Sequence, residues 1–182
     1  MRDEVNIHGK SILYYMIECE MYERVINMIE RGEFRKELMM RPYPYEGRMV
    51  KNMFMLSMVC SRFIQQGRRW SMKKEMLKRI IMMMIEMTEE EVMNYEEEYY
   101  SVFRSVIETE DNEIIMRALN RMSNVGVLMS EFHVWERLEE EERGYYETEQ
   151  EEQEEMERIE RENERKREVG KAIRERIEEL RR

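Results

Sequence analysis

Proline occurs only twice in 182 residues, at positions 42 and 44, and no other feature constrains the fold as much. A proline inside a helix costs about 3 kcal/mol, so its confinement to one short stretch leaves the rest of the chain free to be helical. Glycine is scarce, with seven residues, and Glu, Arg, Met and Leu, all good helix formers, dominate. No stretch reads as a run of alternating strands. The predicted fold class is all-α.

Charged residues make up 40% of the chain, but apolar residues reach 42%, which is enough to build a core. A chain of this length suits one well-buried domain with an appendage, burying roughly two-thirds of its unfolded surface. The net charge of -10 argues against a nucleic-acid surface, because phosphate binding needs a local basic excess. Cys19 and Cys60 are too few for a disulfide framework and are predicted to be reduced core residues. The opening "MRDEVNIHGK" is polar and carries no secretory leader, and the most apolar run, "RIIMMMIEM", is too short to span a bilayer. The expectation is a soluble, cytoplasmic protein without a membrane segment.

The 21 methionines accompany a strong preference for Glu over Asp, which occurs only at positions 3 and 111. Purine-rich codons produce Met, Glu, Arg and Lys together, so the bias is read as coding rather than function. The functional alternative is a pliable Met-lined groove that accepts varied apolar helices.

From Ser11 to Gly32 the apolar residues fall at helical spacing in two sets: Ile12, Leu13, Met16 and Ile17, then Met21, Val25, Met28 and Ile29. They predict a short helical hairpin, with Gly32 where a left-handed residue ends the second helix. The stretch resembles an ankyrin repeat. The matches are Gly9, Ser11 in the place of the family's Thr, Leu13, Val25 and Ile26 in the second helix, and Gly32; the departures are Ile12 for Pro, Tyr14 for His and Met16 for a small residue. "YSVFRSVIETEDNEIIMRALNRM" restates the pattern, with Ser101 for Thr, Phe103 for Leu, Val106 for Ala, a polar turn at "ETEDNEII", and Leu119. Leu13 and Phe103 lie ninety residues apart, which leaves room for one enlarged unit between them. The resemblance implies stacked antiparallel helical hairpins; another α-solenoid fits the same residues.

The middle unit is predicted as a helix within "RMVKNMFMLSMVCSRFIQQG" ended by Gly67, then a second from Ser71 with Met72, Met76, Leu77, Ile80, Ile81 and Met84 on one face. Thr88 to Glu91 forms a capping-box pattern that predicts a new helix start. Val127, Leu128, Phe132, Trp135 and Leu138 give a last apolar face, predicted to close the stack. After Gly144 the composition shifts to Glu and Arg, which divides the chain into a repeat-like domain over 1–144 and a charged C-terminal helix over 145–182. Pairs such as Glu154–Arg158, Glu157–Arg161, Glu162–Lys166 and Glu178–Arg182 have favourable i,i+4 order. Met156, Ile159, Asn163, Lys166, Gly170, Ile173, Ile177 and Leu180 keep heptad spacing, so this helix is either solvated throughout or docked through its last two turns.

Local catalytic signatures are lacking. His8 and His133 have no ligand-spaced partner, the two Asp stand apart, and there is no Gly-rich phosphate loop or nucleophile elbow. The expectation is a non-enzyme without cofactor or metal that acts as a protein-binding adaptor or scaffold subunit. The candidate contact residues are those that a pure core would not need: Arg41, Tyr43 and Tyr45 around the two prolines, and Arg68, Arg69 and Trp70 in the next connection. Two alternatives stay open. One is an RNA- or ribosome-associated factor using the locally basic segment Arg62–Arg79; the other is a homo-oligomeric structural protein using the C-terminal heptads.

Overall fold

The structure is a computed structural model, and it describes residues 11–33, 40–44, 52–66, 72–97, 100–137 and 149–182. Gly9, Tyr45, Gly67, Arg68, Arg69, Trp70, Ser71, Leu138 and Gly144 lie outside the described residues, as does the side chain of Trp135. The described residues are mostly helical: α1 Ile12–Glu18, α2 Tyr22–Glu30, α3 Met55–Gln65, α4 Met72–Met87, α5 Glu90–Met93, α6 Val102–Ile107, α7 Asn112–Leu119, α8 Val125–Arg137 and α9 Glu149–Arg181. Two antiparallel pairs of two-residue strands interrupt them. β1 (Tyr43–Pro44) pairs with β2 (Asn52–Met53) in the register Tyr43↔Met53, and β3 (Glu96–Glu97) pairs with β4 (Tyr100–Ser101) in the register Glu96↔Ser101.

The chain forms two compact units, Met1–Met122 and Ser123–Arg182. The division falls before α8, earlier than the composition break at Gly144, because α8 packs against α9.

Serine hydroxyls start α1 and α6. Ser11 Oγ accepts from the Tyr14 amide at 3.3 Å and Ser101 Oγ from the Arg104 amide at 2.8 Å, satisfying donors that a helix N-terminus otherwise leaves orphaned. Leu13 and Phe103, two residues after each cap, are fully buried. The turns that follow are also equivalent: the chain passes through a left-handed glutamate in both, Glu20 at φ 57° and Glu110 at φ 53°. Their amides donate to Ile17 and Ile107 carbonyls at 3.0 Å each. The end of α2 is a Schellman motif, in which the Gly32 amide donates to the Ile29 carbonyl and the Glu33 amide to the Met28 carbonyl, both at 3.0 Å. Gly32 holds φ 63°, a conformation with no penalty for glycine.

In the first unit α1 packs on α2, α3 on α4 and α6 on α7, while α2 and α7 both pack on α4 and α3 packs on α6. The central helix α4 buries Leu77, Ile80, Ile81, Met84 and Ile85, an i, i+3, i+4, i+7, i+8 stripe. Met72 does not join it. That side chain is 77% exposed at the first turn, and Met76 is only half-buried.

Two other expectations are corrected. Thr88 does not open a capping box: its hydroxyl donates to the Met84 carbonyl at 2.7 Å, closing α4, and its own carbonyl accepts from Arg121 at 2.7 Å. A hydroxyl just after a helix can reach back to an orphan carbonyl as readily as forward to an amide. The helix after it, α5, is a single turn with Glu89 at its N-cap. Cys60 is buried, whereas Cys19 is an exposed cap at the end of α1.

A buried polar contact ties α3 to β4. Ser57 Oγ and Tyr100 Oη are 2.5 Å apart, and the Phe54 amide donates to Tyr100 Oη at 3.4 Å. Burial pushes the Tyr100 phenol up to about 12. An unfolded tyrosine ionises near pH ~10, so the folded chain holds this proton more tightly. The resulting stability is present below about pH 10 and is lost as the pH rises through about 12. In urea titrations at stepped pH, Tyr100→Phe is expected to make the alkaline decline shallower without abolishing it, because Tyr22, Tyr43, Tyr95 and the buried Cys60 thiol are also raised. It should also cost about 1–3 kcal/mol at neutral pH, because it removes the hydroxyl partner of the buried Ser57. An unchanged alkaline slope would contradict this assignment.

In the second unit α8 and α9 run antiparallel, since the Arg174 guanidinium lies 5.2 Å from the Phe132 ring centroid and Arg181 donates to Met129 Sδ at 2.9 Å. Val127, Leu128, Val169, Ile173 and Ile177 are buried. The heptad seam therefore packs through its last turns, while Met156 is 58% exposed. Ion pairs on this helix include Lys171–Glu175 at 3.7 Å and Arg176–Glu179 at 3.1 Å.

Candidate functional site

The α1–α2 turn meets the end of α3 and the start of α4 through charge. Arg62 donates to Glu18 at 2.6 Å and to the Gln65 side chain at 3.4 Å. Lys73 is paired with Glu20, and Lys74 sits 4.5 Å from the Phe63 ring centroid. The hydrogen bond and charge of Lys73 hold the Glu20 carboxyl below the usual carboxylate range, and the same pairing raises the Lys73 ammonium. Beside these pairs three apolar side chains face outward: Met21 on the turn (39% exposed), Ile64 near the end of α3 (40% exposed) and Met72 at the start of α4. Apolar centres rimmed by charge are the usual anatomy of a protein-contact patch.

The Tyr22 hydroxyl lies beneath this turn, buried and without a hydrogen-bond partner. Burial and the charge of Glu20 both push its phenol up.

Of the residues named from sequence, Tyr45, Arg68, Arg69 and Trp70 lie outside the described residues. Arg41 is exposed on the bend before β1. Tyr43 is corrected from surface contact to packing. It is 3% exposed, its ring centroid lies 6.2 Å from that of Tyr14, and it shares a hydrogen bond with Ser11. Burial pushes its phenol up despite that bond.

The described cations of the basic segment Arg62–Arg79 face intramolecular partners. Arg79 pairs with Glu30 of α2, and Lys78 reaches across to α7, with Asp111 at 3.0 Å and Glu113 at 2.8 Å. Burial alone would lower the Lys78 ammonium, but its hydrogen bonds to Glu113 and Asp111 outweigh this and leave it raised. Arg117 of α7 pairs back to Glu86 of α4. The result is a ladder of ion pairs that joins α2, α4 and α7, which no spacing within one segment could disclose.

Among the described residues no group of three His, Cys, Asp or Glu could hold a metal ion, and no helix is long and apolar enough to cross a membrane. His133 is exposed on α8 beside Phe132. A groove of about 310 Å³ is lined by Glu157, Glu160, Arg161, Glu164 and Arg167 of α9. Those five are all charged, unlike the apolar lining that small-molecule pockets use. No protein-family model matches the chain, and neither a curated protein nor a solved structure matches it.

Proposed function

We propose that the chain is a non-catalytic adaptor or scaffold subunit in which three stacked helical pairs, ankyrin-like in their turns, present one end to a protein partner. The reading rests on the helix contacts: α1, α3 and α6 are the first helices of successive pairs, and among the second helices α4 packs on both α2 and α7. Equivalent caps at Ser11 and Ser101, and equivalent left-handed turns at Glu20 and Glu110, support a repeat of one unit at a ninety-residue offset. Stacked pairs bury a continuous core and leave an extended surface for recognition. Two unpaired thiols suit a reducing compartment, which we take to be the cytoplasm.

The single observation that carries the reading is the exposed Met21, Ile64 and Met72 beside the Glu18–Arg62 and Glu20–Lys73 pairs. Trp70, Arg68 and Arg69 occupy the adjoining connection in sequence and belong to residue types enriched at interface hot spots. An RNA-binding use of Arg62–Arg79 is weaker, because at Arg62, Lys73, Lys78 and Arg79 phosphates would have to displace carboxylates already paired with the cation.

The test is affinity purification from the native cell lysate with wild type and with the double variant Ile64→Glu/Met72→Glu. Both positions are exposed, so the variant should unfold at an unchanged temperature. A protein partner depleted at least tenfold by the variant is expected. An equal yield from a folded variant would remove this contact surface, and a partner set lost on nuclease treatment would favour RNA.

A further inference from the structure

α9 has 33 residues and α8 has 13, or about 50 Å against about 20 Å at the rise of an α-helix. The buried positions Val169, Ile173 and Ile177 and the contacts of Arg174 and Arg181 all lie in the C-terminal part of α9. The preceding turns run past α8. There Met156, Glu157, Arg158, Glu160, Arg161, Glu164 and Arg167 are exposed, and Ile159, Asn163 and Lys166 are half-buried. Met156 and Ile159 stand on the same heptad seam that α9 uses against α8 through Ile173 and Ile177, so an apolar stripe continues into this arm.

The charge along the arm is one-sided. Residues 149–157 contain six Glu and no cation, whereas residues 158–167 contain five cations and three Glu. A parallel copy would set glutamates against glutamates. An antiparallel copy centred between Glu157 and Arg158 sets the acidic half against the basic half, and brings Met156 of each helix against Ile159 of the other.

We propose that the arm of α9 docks antiparallel on the same arm of a second copy of this chain. The core of the contact is two Met156–Ile159 layers. Asn163 and Lys166, on the same seam, fix the register at the expense of affinity, and the charge pattern selects the orientation. A contact with so little apolar surface and so much charge is weak, reversible and sensitive to salt.

The full chain tests this by sedimentation velocity over a range of concentrations at low and high salt. The mass should double with concentration at low salt, and the midpoint should move to at least several-fold higher concentration at high salt. Met156→Glu alone, and Met156→Glu with Ile159→Glu, should keep the chain monomeric while leaving its helical circular dichroism unchanged. Orientation is read by double electron–electron resonance from a spin label at Arg167→Cys in a Cys19→Ser background; Cys60 is buried. Antiparallel pairing about the 157–158 centre places the two labels about 30 Å apart, and parallel pairing places them within about 20 Å. A monomer at every concentration, a dimer that the Met156 variant leaves intact, or a short label distance would each overturn the proposal. The adaptor reading rests on the first unit and stands or falls separately.

Discussion

Phe103→Ala is expected to destabilise the protein by about 3–5 kcal/mol, the usual range for removing a fully buried aromatic ring. Phe103 has no exposed surface, and its helix, α6, packs on both α3 and α7. With α6 held by two neighbouring helices, the cavity cannot close by a shift of α6 alone. Leu13→Ala, at the equivalent position of α1, should cost about 2–5 kcal/mol. Chemical unfolding followed by circular dichroism measures both. A Phe103→Ala loss below about 1 kcal/mol would mean that α6 is not held in this packing.

Asp111→Ala should cost about 1–2 kcal/mol, more than an ordinary surface change, because this one carboxylate does two jobs. Its Oδ1 accepts from the amides of Glu113 at 3.1 Å and Ile114 at 3.2 Å, capping α7, and its Oδ2 accepts from Lys78 of α4 at 3.0 Å. Asp111→Asn separates the two. Asparagine caps about as well as aspartate, so the Asn variant should recover most of the loss and leave only the weakened tie to Lys78. Equal destabilisation by Ala and Asn would place the whole effect in the ion pair and contradict the capping role.

Asp111 also marks where sequence reasoning stopped short. Its isolation among acidic residues counted against a metal site, yet its place before "NEII" is what makes it a helix cap. The serine caps were legible because a hydroxyl followed by helical apolar spacing has few other readings, and the α4 stripe from Leu77 was legible because its period repeats over three turns. Met72 was misplaced on that stripe. Periodicity extends a face to the helix end, but cannot tell whether any neighbour reaches the first turn.

The rest depended on contacts distant in sequence. Tyr43 became a packing residue because β1 pairs with β2 and brings it to Tyr14 and Ser11; the proline-flanked tyrosine carries no local mark of this. The two-residue strands are too short to leave an alternating pattern. Thr88 fitted a capping box in sequence, and only the arrival of the α4 carbonyl and of Arg121 assigned its hydroxyl and its carbonyl elsewhere. The division after Met122 was hidden because α8 shows an ordinary amphipathic face, and nothing in that face names α9 as its neighbour. The proposed contact patch draws on both kinds of signal. Arg68, Arg69 and Trp70 pointed to the α3–α4 connection, but Met21 and Ile64 emerge only when the Glu18–Arg62 and Glu20–Lys73 pairs bring the turn and the helix ends together.

The central claim is that the end of the first unit bearing Met21, Ile64 and Met72 contacts a protein. Photo-cross-linking tests it most directly, with a benzophenone amino acid placed at position 72 and, as a control, at the exposed Glu23 of α2. Irradiation in the native lysate should give a discrete adduct with a different protein from position 72 and none from position 23, and Ile64→Glu should abolish it. No adduct at position 72, or the same adducts from both positions, would contradict the account.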